Sequence, residues 1–188
     1  HGAAVTLISG PVNLPPPAHV NRISVQTAEQ MLAAVMAALP ADIAVCAAAV
    51  ADWRVAGSRH AKLKKPGRGT ARPIQLSLCE NPDILASIAQ SDQRPELVIG
   101  FAAETEDLQE NAIAKRQRKQ CDWIIANQVG GAADPVFGSD MNHIMLICET
   151  AVENCPSLTE IGRVSSKLQE VSVKLLESRA NCLKPLAN

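Results

Sequence analysis

Aromatic residues are scarce in this chain of 188 residues: they make up 2% of it, and tyrosine is absent. Single-stranded nucleic acids are bound on platforms of stacked aromatic side chains, so the composition excludes that class of binding protein. The net charge of -1 provides no basic field for nucleic acid or for an anionic membrane surface. No apolar run approaches the roughly 20 residues of a membrane-spanning helix. With 47% hydrophobic and 20% charged residues, the chain is predicted to be a soluble globular protein.

Motifs for metal, nucleotide and nucleophile sites are also missing. The six cysteines form no C-x-x-C pair and the four histidines are scattered, so neither a zinc site nor a histidine-based triad is indicated. The chain contains no G-x-G-x-x-G and no Walker A sequence. The cysteine pattern does not suggest a disulfide framework, and we expect a reduced, cytoplasmic protein.

Strand and helix patterns alternate along the chain. Apolar or alternating runs predict strands at residues 5–9, 43–50, 74–78, 97–103, 123–126 and 144–148. Helices are predicted at 28–39, after a capping-box pattern that begins at Thr27, at 82–90, at 106–119 after a Thr105 cap, and at 165–179. The alternation predicts one α/β domain over residues 1–188, with a doubly wound, mostly parallel sheet. A polar segment at 54–73 is the stretch that most resembles a lid.

A carboxylate and a lysine cluster follow the second apolar run. The run at 43–50 is read as a buried strand, and Asp52 comes directly after it. Three lysines follow ten to thirteen residues later, at Lys62, Lys64 and Lys65. Ligands of open α/β sheets bind at the carboxyl ends of strands, so this pattern suits a polyphosphate with its metal ion. The alternative is a solvated lysine loop with no ligand.

Two further motifs have both a structural and a binding interpretation. Asn81-Pro82-Asp83 is typical of a helix start, with Asn81 as the N-cap, and the free backbone N–H groups there can also hold a nucleotide. Lys115 and Lys119 are four residues apart, so both ammonium groups project from one helix face and suit a triphosphate. The structural alternative for these lysines is a basic last turn that complements the helix dipole.

Taken together, the motifs resemble those of bacterial phosphopantothenate–cysteine ligase, the ligase domain of the bifunctional coenzyme A biosynthesis protein. Any one of them is weak, but they occur in the family's order and spacing over residues 3 to about 180. They are Val5-Thr6-Leu7-Ile8-Ser9-Gly10-Pro11, Ala48-Ala49-Val50-Ala51-Asp52, Lys62-x-Lys64-Lys65, Asn81-Pro82-Asp83-Ile84, Gly100-Phe101-Ala102-Ala103-Glu104-Thr105, Lys115-x-x-x-Lys119 and Ala126-Asn127.

The resemblance implies a reaction and a set of site residues. The family uses CTP and Mg²⁺ to join 4'-phosphopantothenate to L-cysteine through an acyl-cytidylate. By similarity, Lys62 is the catalytic residue and also contacts the phosphates, and Ala48 and Ala49 border the pantothenate. The nucleotide-binding residues implied by similarity are Asp52, Lys62, Pro82, Asp83, Ile84, Leu85, Phe101, Lys115 and Lys119. Lys64 and Lys65 belong to a flexible flap, and the metal ligands are not identified.

The resemblance also implies a three-layer, Rossmann-like fold, a homodimer and a fusion partner. A protruding β arm at residues 54–80 carries the lysine flap and contributes to the dimer interface, and a flavin-dependent decarboxylase is often fused to the ligase. The family begins with a further strand and an asparagine-bearing loop that handles the acyl-cytidylate. This chain starts after them, so we expect an N-terminally incomplete ligase domain. Gln128 also stands where the family usually has aspartate. The alternative hypothesis is a catalytically silent α/β module that binds a nucleotide or a partner.

Overall fold

A computed structural model describes residues 2–57, 75–128, 144–149 and 152–155. Contacts group the described residues into two compact units. Unit one is drawn from His1–Ala38 and Ala48–Ser87, and unit two from Leu39–Ala47 and Ile88–Asn188. The elements, in chain order, are β1 (Val5–Ser9), β2 (Val20–Ser24), α1 (Ala28–Ala37), β3 (Ile43–Cys46), β4 (Trp53–Val55), β5 (Leu78–Glu80), α2 (Ile84–Ala89), β6 (Leu97–Glu104), α3 (Leu108–Lys119), β7 (Trp123–Gln128), β8 (Ile144–Ile147) and β9 (Val152–Cys155).

Unit one contains two small sheets and α1. β1 and β2 pair in parallel, from Val5 opposite Val20 to Ser9 opposite Ser24, and α1 contacts β1. The start of α1 follows from its sequence: the Thr27 side chain accepts the backbone N–H of Gln30 at 3.1 Å, and the Gln30 side chain accepts that of Thr27 at 3.2 Å. This reciprocal pair satisfies two backbone donors that a helix start leaves without partners. The capping box predicted from the sequence is therefore confirmed.

β4 and β5 form the second small sheet of unit one, an antiparallel hairpin pair. Trp53 lies opposite Glu80, Arg54 opposite Cys79, and Val55 opposite Leu78. Because strand side chains alternate between faces, Trp53, Val55 and Leu78 share one face while Arg54 lies on the other. Trp53, Val55 and Leu78 are 55%, 43% and 57% exposed, so this face presents three large apolar side chains to solvent, beside the exposed Glu80 opposite Trp53.

Unit two is built on a five-stranded sheet in the order β3-β6-β7-β8-β9. β3, β6 and β7 are parallel, whereas β8 and β9 extend the sheet with antiparallel pairs. α3 packs against β6, β7 and β8. This arrangement confirms the predicted α/β class with a parallel central sheet.

One cluster of the core of unit two lies on one face of this sheet, and buried side chains such as Val98, Ile124 and Ile147 lie on the other face. Leu97 and Ile99 of β6 pack with Ile125 of β7 and Leu146 of β8, and all four are at most 5% exposed. Partly buried apolar side chains extend this cluster, namely Ile43, Phe101, Trp123 and Ile144. Leu97, Ile99 and Phe101 are alternate residues of β6, and they lie on one face because side chains along a strand alternate between its two faces. The apolar run at 97–103 is long enough to be buried on both faces, which is why it was readable as a strand.

Asp122 joins the start of β6 to the start of β7. Its Oδ2 atom accepts the Val98 backbone N–H at 2.7 Å and pairs with Nη2 of Arg94 at 2.8 Å. The Asp122 backbone N–H in turn donates to the Val98 carbonyl at 2.9 Å. Arg94 also donates to the carbonyl of Pro95 at 2.8 Å. These bonds satisfy main-chain groups of Val98, a residue with no exposed surface, and hold the two parallel strands in register.

Several predicted element boundaries were wrong. The run at 43–50 forms a strand only to Cys46, which pairs with Gly100 of β6. The strand was predicted to be buried, but β3 lies at the edge of the described sheet and Val45 is 51% exposed. The strand predicted at 74–78 begins at Leu78 and continues to Glu80. β2, β4 and β9 were not predicted. α1 ends at Ala37 instead of residue 39. The helix predicted at 165–179 lies outside the described residues.

The two other helix starts also differ from their predictions. α3 begins at Leu108 and its N-cap is Asp107 with φ 49°, so Thr105 does not cap it. α2 begins at Ile84, and Asp83 rather than Asn81 accepts the N–H of Ala86, at 3.1 Å. Asn81 does not cap α2 because its side chain bonds to the Ala51 carbonyl instead.

Cys46, Cys79, Cys121 and Cys148 form no disulfides among the described residues, and burial raises the pKa of the Cys121 thiol.

Candidate functional site

Asp52 lies in a turn between β3 and β4, in unit one. Its side chain is exposed and makes no hydrogen bond or ion pair within the described part of the chain. Its main chain, by contrast, is held: the Asp52 carbonyl accepts the backbone N–H of Asn81 at 2.7 Å. This bond adds one more pair to the β4–β5 ladder beyond Trp53 and Glu80. The carboxylate is therefore presented to solvent from a fixed backbone.

Asn81 joins this turn to the segment that precedes α2. In addition to its backbone bond, its side-chain Nδ2 donates to the Ala51 carbonyl at 2.8 Å. Two successive carbonyls, those of Ala51 and Asp52, are thus bonded to one residue. Because Pro82 follows Asn81 directly, the structure brings the predicted Asp52 site and the start of the predicted cytidine-binding segment into one local arrangement.

Arg54 was not predicted as a site residue, but it organises this arrangement. Its Nη2 pairs with Oε1 of Glu29 on α1 at 3.0 Å. Its Nη1 donates to the carbonyl of Glu80 and lies 3.5 Å from Oδ1 of Asn81, a long and weak bond. The sequence gives no signal for this set, because Glu29 and Asn81 are each about 25 residues from Arg54 and are joined to it only by the fold.

Pro82 to Leu85 form the entry and first turn of α2. Asp83 caps this helix: its Oδ1 accepts the N–H of Ala86 at 3.1 Å, and its carbonyl accepts both N–H and Oγ–H of Ser87. Pro82, Ile84 and Leu85 are half-buried, while Asp83 is exposed. The capping role explains why an aspartate stands at position 83 without reference to any ligand. Its assignment to a nucleotide remains a prediction.

An open surface groove with a volume of about 590 Å³ is lined in part by Asn81, within unit one. One wall is the apolar face of α1, and the other comes from the β4–β5 pair and the residues after it. The lining residues are Glu29, Leu32, Ala33, Met36, Arg54, Glu80, Asn81 and Pro82. The ion pair between Arg54 and Glu29 thus joins the two walls.

Ala48 and Ala49, predicted to border the pantothenate, also belong to unit one. Both are exposed, and the Ala48 carbonyl accepts the N–H of Val50 at 3.1 Å, which makes a tight turn after β3. Nothing in their geometry tests the substrate assignment, which stays a prediction.

The remaining described candidates lie in unit two. Phe101 is on β6 and packs against the core cluster, so its ring has a structural role whether or not it contacts a nucleotide. Lys115 and Lys119 both lie in α3, half-buried and four residues apart, as predicted. The last turn of α3 also carries Arg116 and Arg118, which complement the helix dipole. Lys62, Lys64 and Lys65 lie outside the described residues.

Magnesium is the metal that the resemblance implies. No group of three or more histidine, cysteine, aspartate or glutamate side chains gathers anywhere in the described ranges. Mg²⁺ usually needs only one or two protein carboxylates, with phosphates and water completing the octahedron. The exposed Asp52 carboxylate fits that requirement. Asp83 fits it less well because one of its oxygens is committed to the cap of α2.

Comparison with known proteins decides the family. Residues 1–174 match the DNA/pantothenate metabolism flavoprotein C-terminal domain family. The chain belongs to that family. Three relatives are each named "Coenzyme A biosynthesis bifunctional protein CoaBC": those of Vibrio vulnificus strain YJ016 (44% identical over 140 residues), Escherichia coli K12 (44% over 147) and Haemophilus influenzae Rd (41% over 171). The matches cover 74%, 77% and 90% of this chain but only 34%, 36% and 41% of those relatives.

Solved structures agree with membership in the flavoprotein C-terminal domain family. The crystal structure of the C-terminal domain of a CoaBC protein has a TM-score of 0.67 and 29% identity, and the match covers 92% of this chain and 76% of that one. The DNA/pantothenate metabolism flavoprotein from Streptococcus pneumoniae has a TM-score of 0.70 over 91% of this chain and 82% of that one. At 15% identity, the second match shows the fold alone. Among the described helices, none is both long and apolar enough to cross a membrane.

Proposed function

We propose that this chain joins 4'-phosphopantothenate to L-cysteine with CTP, as the ligase part of a coenzyme A biosynthesis protein. The observation that carries the proposal is the arrangement in unit one, where Asn81 ties the Asp52 turn to the Pro82–Leu85 segment. The two motifs are 30 residues apart in sequence, and a nucleotide site needs them close together. Family membership supports the same reaction, since several relatives are named coenzyme A biosynthesis proteins.

The proposed reaction has two steps. A carboxylate oxygen of phosphopantothenate attacks the α-phosphorus of CTP, the bond to the β-phosphate breaks, and pyrophosphate leaves. The cysteine amine then attacks the acyl carbon, loses a proton, and releases CMP as the amide forms. Both steps require alignment of the reacting groups and neutralisation of phosphate charge, and little covalent chemistry from the protein.

The residue roles follow from that requirement. The backbone at Pro82, Asp83, Ile84 and Leu85 would hold the cytidine, and Lys115 and Lys119 would neutralise the triphosphate. Lys62 would stabilise charge on the α-phosphate, with Lys64 and Lys65 in the flap above it. Phe101 would line the nucleotide pocket, and Ala48 and Ala49 would border the pantothenate. Asp52 would hold the Mg²⁺ of CTP, and that ion would supply further charge neutralisation.

Nucleotide choice gives the first test. A ligand that binds only the folded state at 100 times its Kd stabilises that state by about 2.7 kcal/mol, so saturating CTP with Mg²⁺ should raise the Tm by several degrees. ATP at the same concentration should raise it less, because the site is proposed to read cytosine. Differential scanning fluorimetry measures both shifts. An equal or larger shift with ATP would contradict the proposal.

Pyrophosphate release distinguishes catalysis from binding alone. The proposal requires radiolabelled pyrophosphate to appear from CTP when phosphopantothenate is present, even before cysteine is added. CTP binding without that release would favour the silent nucleotide-binding module.

We also propose that the protein forms a homodimer through the β4–β5 arm. The support is that Trp53, Val55 and Leu78 place three large, exposed apolar side chains beside Glu80 on one face, where a monomer would leave them in water. Leu78→Glu should place a charge in this face and yield monomers, as measured by size-exclusion chromatography with light scattering. The matched control is Val12→Glu, which places the same charge at another exposed apolar position, 52% exposed. A monomeric wild type, or a dimeric Leu78→Glu variant, would refute this interface.

Two further parts of the proposal concern context. We propose that the ligase works in the cytoplasm; Cys46, Cys79, Cys121 and Cys148 are free thiols, as is usual in a reducing compartment. We also propose that it is fused to, or works with, a flavin-dependent decarboxylase, in keeping with the word bifunctional in its relatives' names. The mass of the natural polypeptide and its location in fractionated cells would test both.

A further inference from the structure

We infer that Asn81 is a positioning residue for nucleotide binding, and that Arg54, anchored by Glu29, fixes the orientation of the Asn81 side chain. The inference deepens the proposed function and rests on it in one respect, namely that the Asp52 turn and the start of α2 contact one nucleotide. The two hydrogen bonds from Asn81 to the carbonyls of Ala51 and Asp52 are called the Asn81 bridge below.

The orientation of the Asn81 amide follows from donor and acceptor chemistry. A guanidinium has only donors, so the Asn81 atom that faces Arg54 must be the carbonyl oxygen. A backbone carbonyl only accepts, so the atom that faces Ala51 must be the NH₂ group. Both neighbours demand the same orientation. With Arg54 absent, only the Ala51 carbonyl would orient the amide, so the amide could turn over more readily. Turning would present its oxygen to the oxygen of Ala51 and break the side-chain bond of the Asn81 bridge.

Arg54 is itself held on two other sides. Its guanidinium pairs with Glu29 at 3.0 Å and donates to the Glu80 carbonyl, the residue before Asn81. Both side chains of the ion pair are more than a third exposed, and exposed pairs add little to stability because solvent screens them. Arg54 therefore matters here for the direction in which it points its donors more than for the stability that it supplies.

The Asn81 bridge fixes the distance between two parts of the site. One part is the Asp52 carboxylate, whose backbone carbonyl is an acceptor in the bridge, and the other is Pro82, which follows Asn81 directly. A nucleotide that contacts both parts must span a set distance between base and phosphates. Reacting groups displaced by about 1 Å can lose about 10²-fold in rate. Weakening the Asn81 bridge should therefore change the kinetics with CTP before it changes the Tm.

The decisive variants are Asn81→Ala and Arg54→Lys. Asn81→Ala removes the side-chain donor without adding charge near the phosphates, and loss of one hydrogen bond should raise the KM for CTP about 3- to 10-fold. Arg54→Lys keeps the charge, but a single ammonium cannot contact Glu29, Glu80 and Asn81 in the same way as a planar guanidinium, so a similar rise is expected. Asn21→Ala is the matched control, since Asn21 is an exposed strand residue in the same unit.

A positioning role predicts a split that a structural role does not. The KM for CTP should rise while the KM for cysteine stays unchanged, and the Tm without nucleotide should match that of Asn21→Ala. A wild-type KM for CTP in both variants would overturn the inference. A rise in KM for CTP and cysteine together, with a fall in Tm, would do the same, because it would indicate general loosening.

One readout is independent of the nucleotide. The backbone N–H of Asn81, which donates to Asp52, should exchange with solvent faster in Arg54→Lys than in Asn21→Ala, as measured by hydrogen–deuterium exchange. If the wild type binds no CTP but this exchange rises as expected, the proposed function fails and the coupling of Arg54 to the bridge stands. Unchanged exchange in Arg54→Lys refutes the inference whatever the nucleotide data show.

Discussion

Lys62→Ala should lower the rate of pyrophosphate release by about 10²–10³-fold while changing the Kd for CTP far less. The physical reason is that, in the proposed reaction, the Lys62 ammonium would neutralise charge on the α-phosphate, where it would meet more negative charge in the transition state than in bound CTP. A group that acts this way contributes to kcat and little to ground-state binding. Single-turnover release of labelled pyrophosphate, with equilibrium binding of CTP measured separately, gives both quantities in the complete natural polypeptide.

Two variants control this experiment. Lys62→Arg should recover only part of the rate, because a planar guanidinium does not replace a compact ammonium as a point charge. Arg118→Ala removes one positive charge from an exposed position of α3 and should leave the rate unchanged. If Lys62→Ala turned over CTP at the wild-type rate, the lysine cluster would be a solvated loop and the catalytic role would belong to another residue.

Ile99→Ala should lower the free energy of unfolding by about 2–5 kcal/mol. Ile99 has no exposed surface and lies among Leu97, Ile125 and Leu146, where removed methyl and methylene groups leave a cavity that the sheet cannot close. Since whole domains are stable by about 5–15 kcal/mol, this single change removes a large part of the total. Urea denaturation followed by circular dichroism measures it.

The control for Ile99 is Val45→Ala. Val45 is also a β-branched strand residue, but it lies on the edge strand β3 and is 51% exposed, so its loss should cost under about 1 kcal/mol. A comparable cost for the two variants would mean that the buried cluster on β6 is not the main core of unit two.

Local signals in the sequence predicted a part of this fold. The strand at 97–103 was readable because a long apolar run buried on two faces needs no information about its partners. The start of α1 was readable because Thr27 and Gln30 satisfy each other's backbone groups within four residues. β2 and β4 were missed because neither forms an apolar run: Asn21 and Arg22 interrupt β2, and Arg54 interrupts β4, so only their pairing partners reveal them as strands.

The candidate site shows the same limit, because its contacts join residues that are remote in sequence. Asp52 and the Pro82–Leu85 segment were predicted as site residues from motifs, and the fold brings the Asp52 turn next to the residue that precedes Pro82. The side chains that hold them were not predicted, because Arg54, Glu29 and Asn81 meet only once α1, β4 and β5 are in place. Asn81 illustrates the cause: its sequence context indicates a helix cap, but its amide serves a carbonyl 30 residues away, and Asp83 takes over the cap.

The bonds around Asp122 depend to different degrees on the side chains at positions 98 and 94. One acceptor oxygen of Asp122 serves the backbone N–H of Val98, a group that every residue except proline carries at that position. A substitution of Val98 by any residue except proline therefore leaves a backbone N–H that needs an acceptor at position 122. Arg94 is different, because Asp122 retains its main-chain partner after Arg94 is replaced, and Arg94 is only the second donor to that oxygen. The acceptor at position 122 serves the polypeptide backbone itself, whereas the ion pair depends on which side chain stands at position 94.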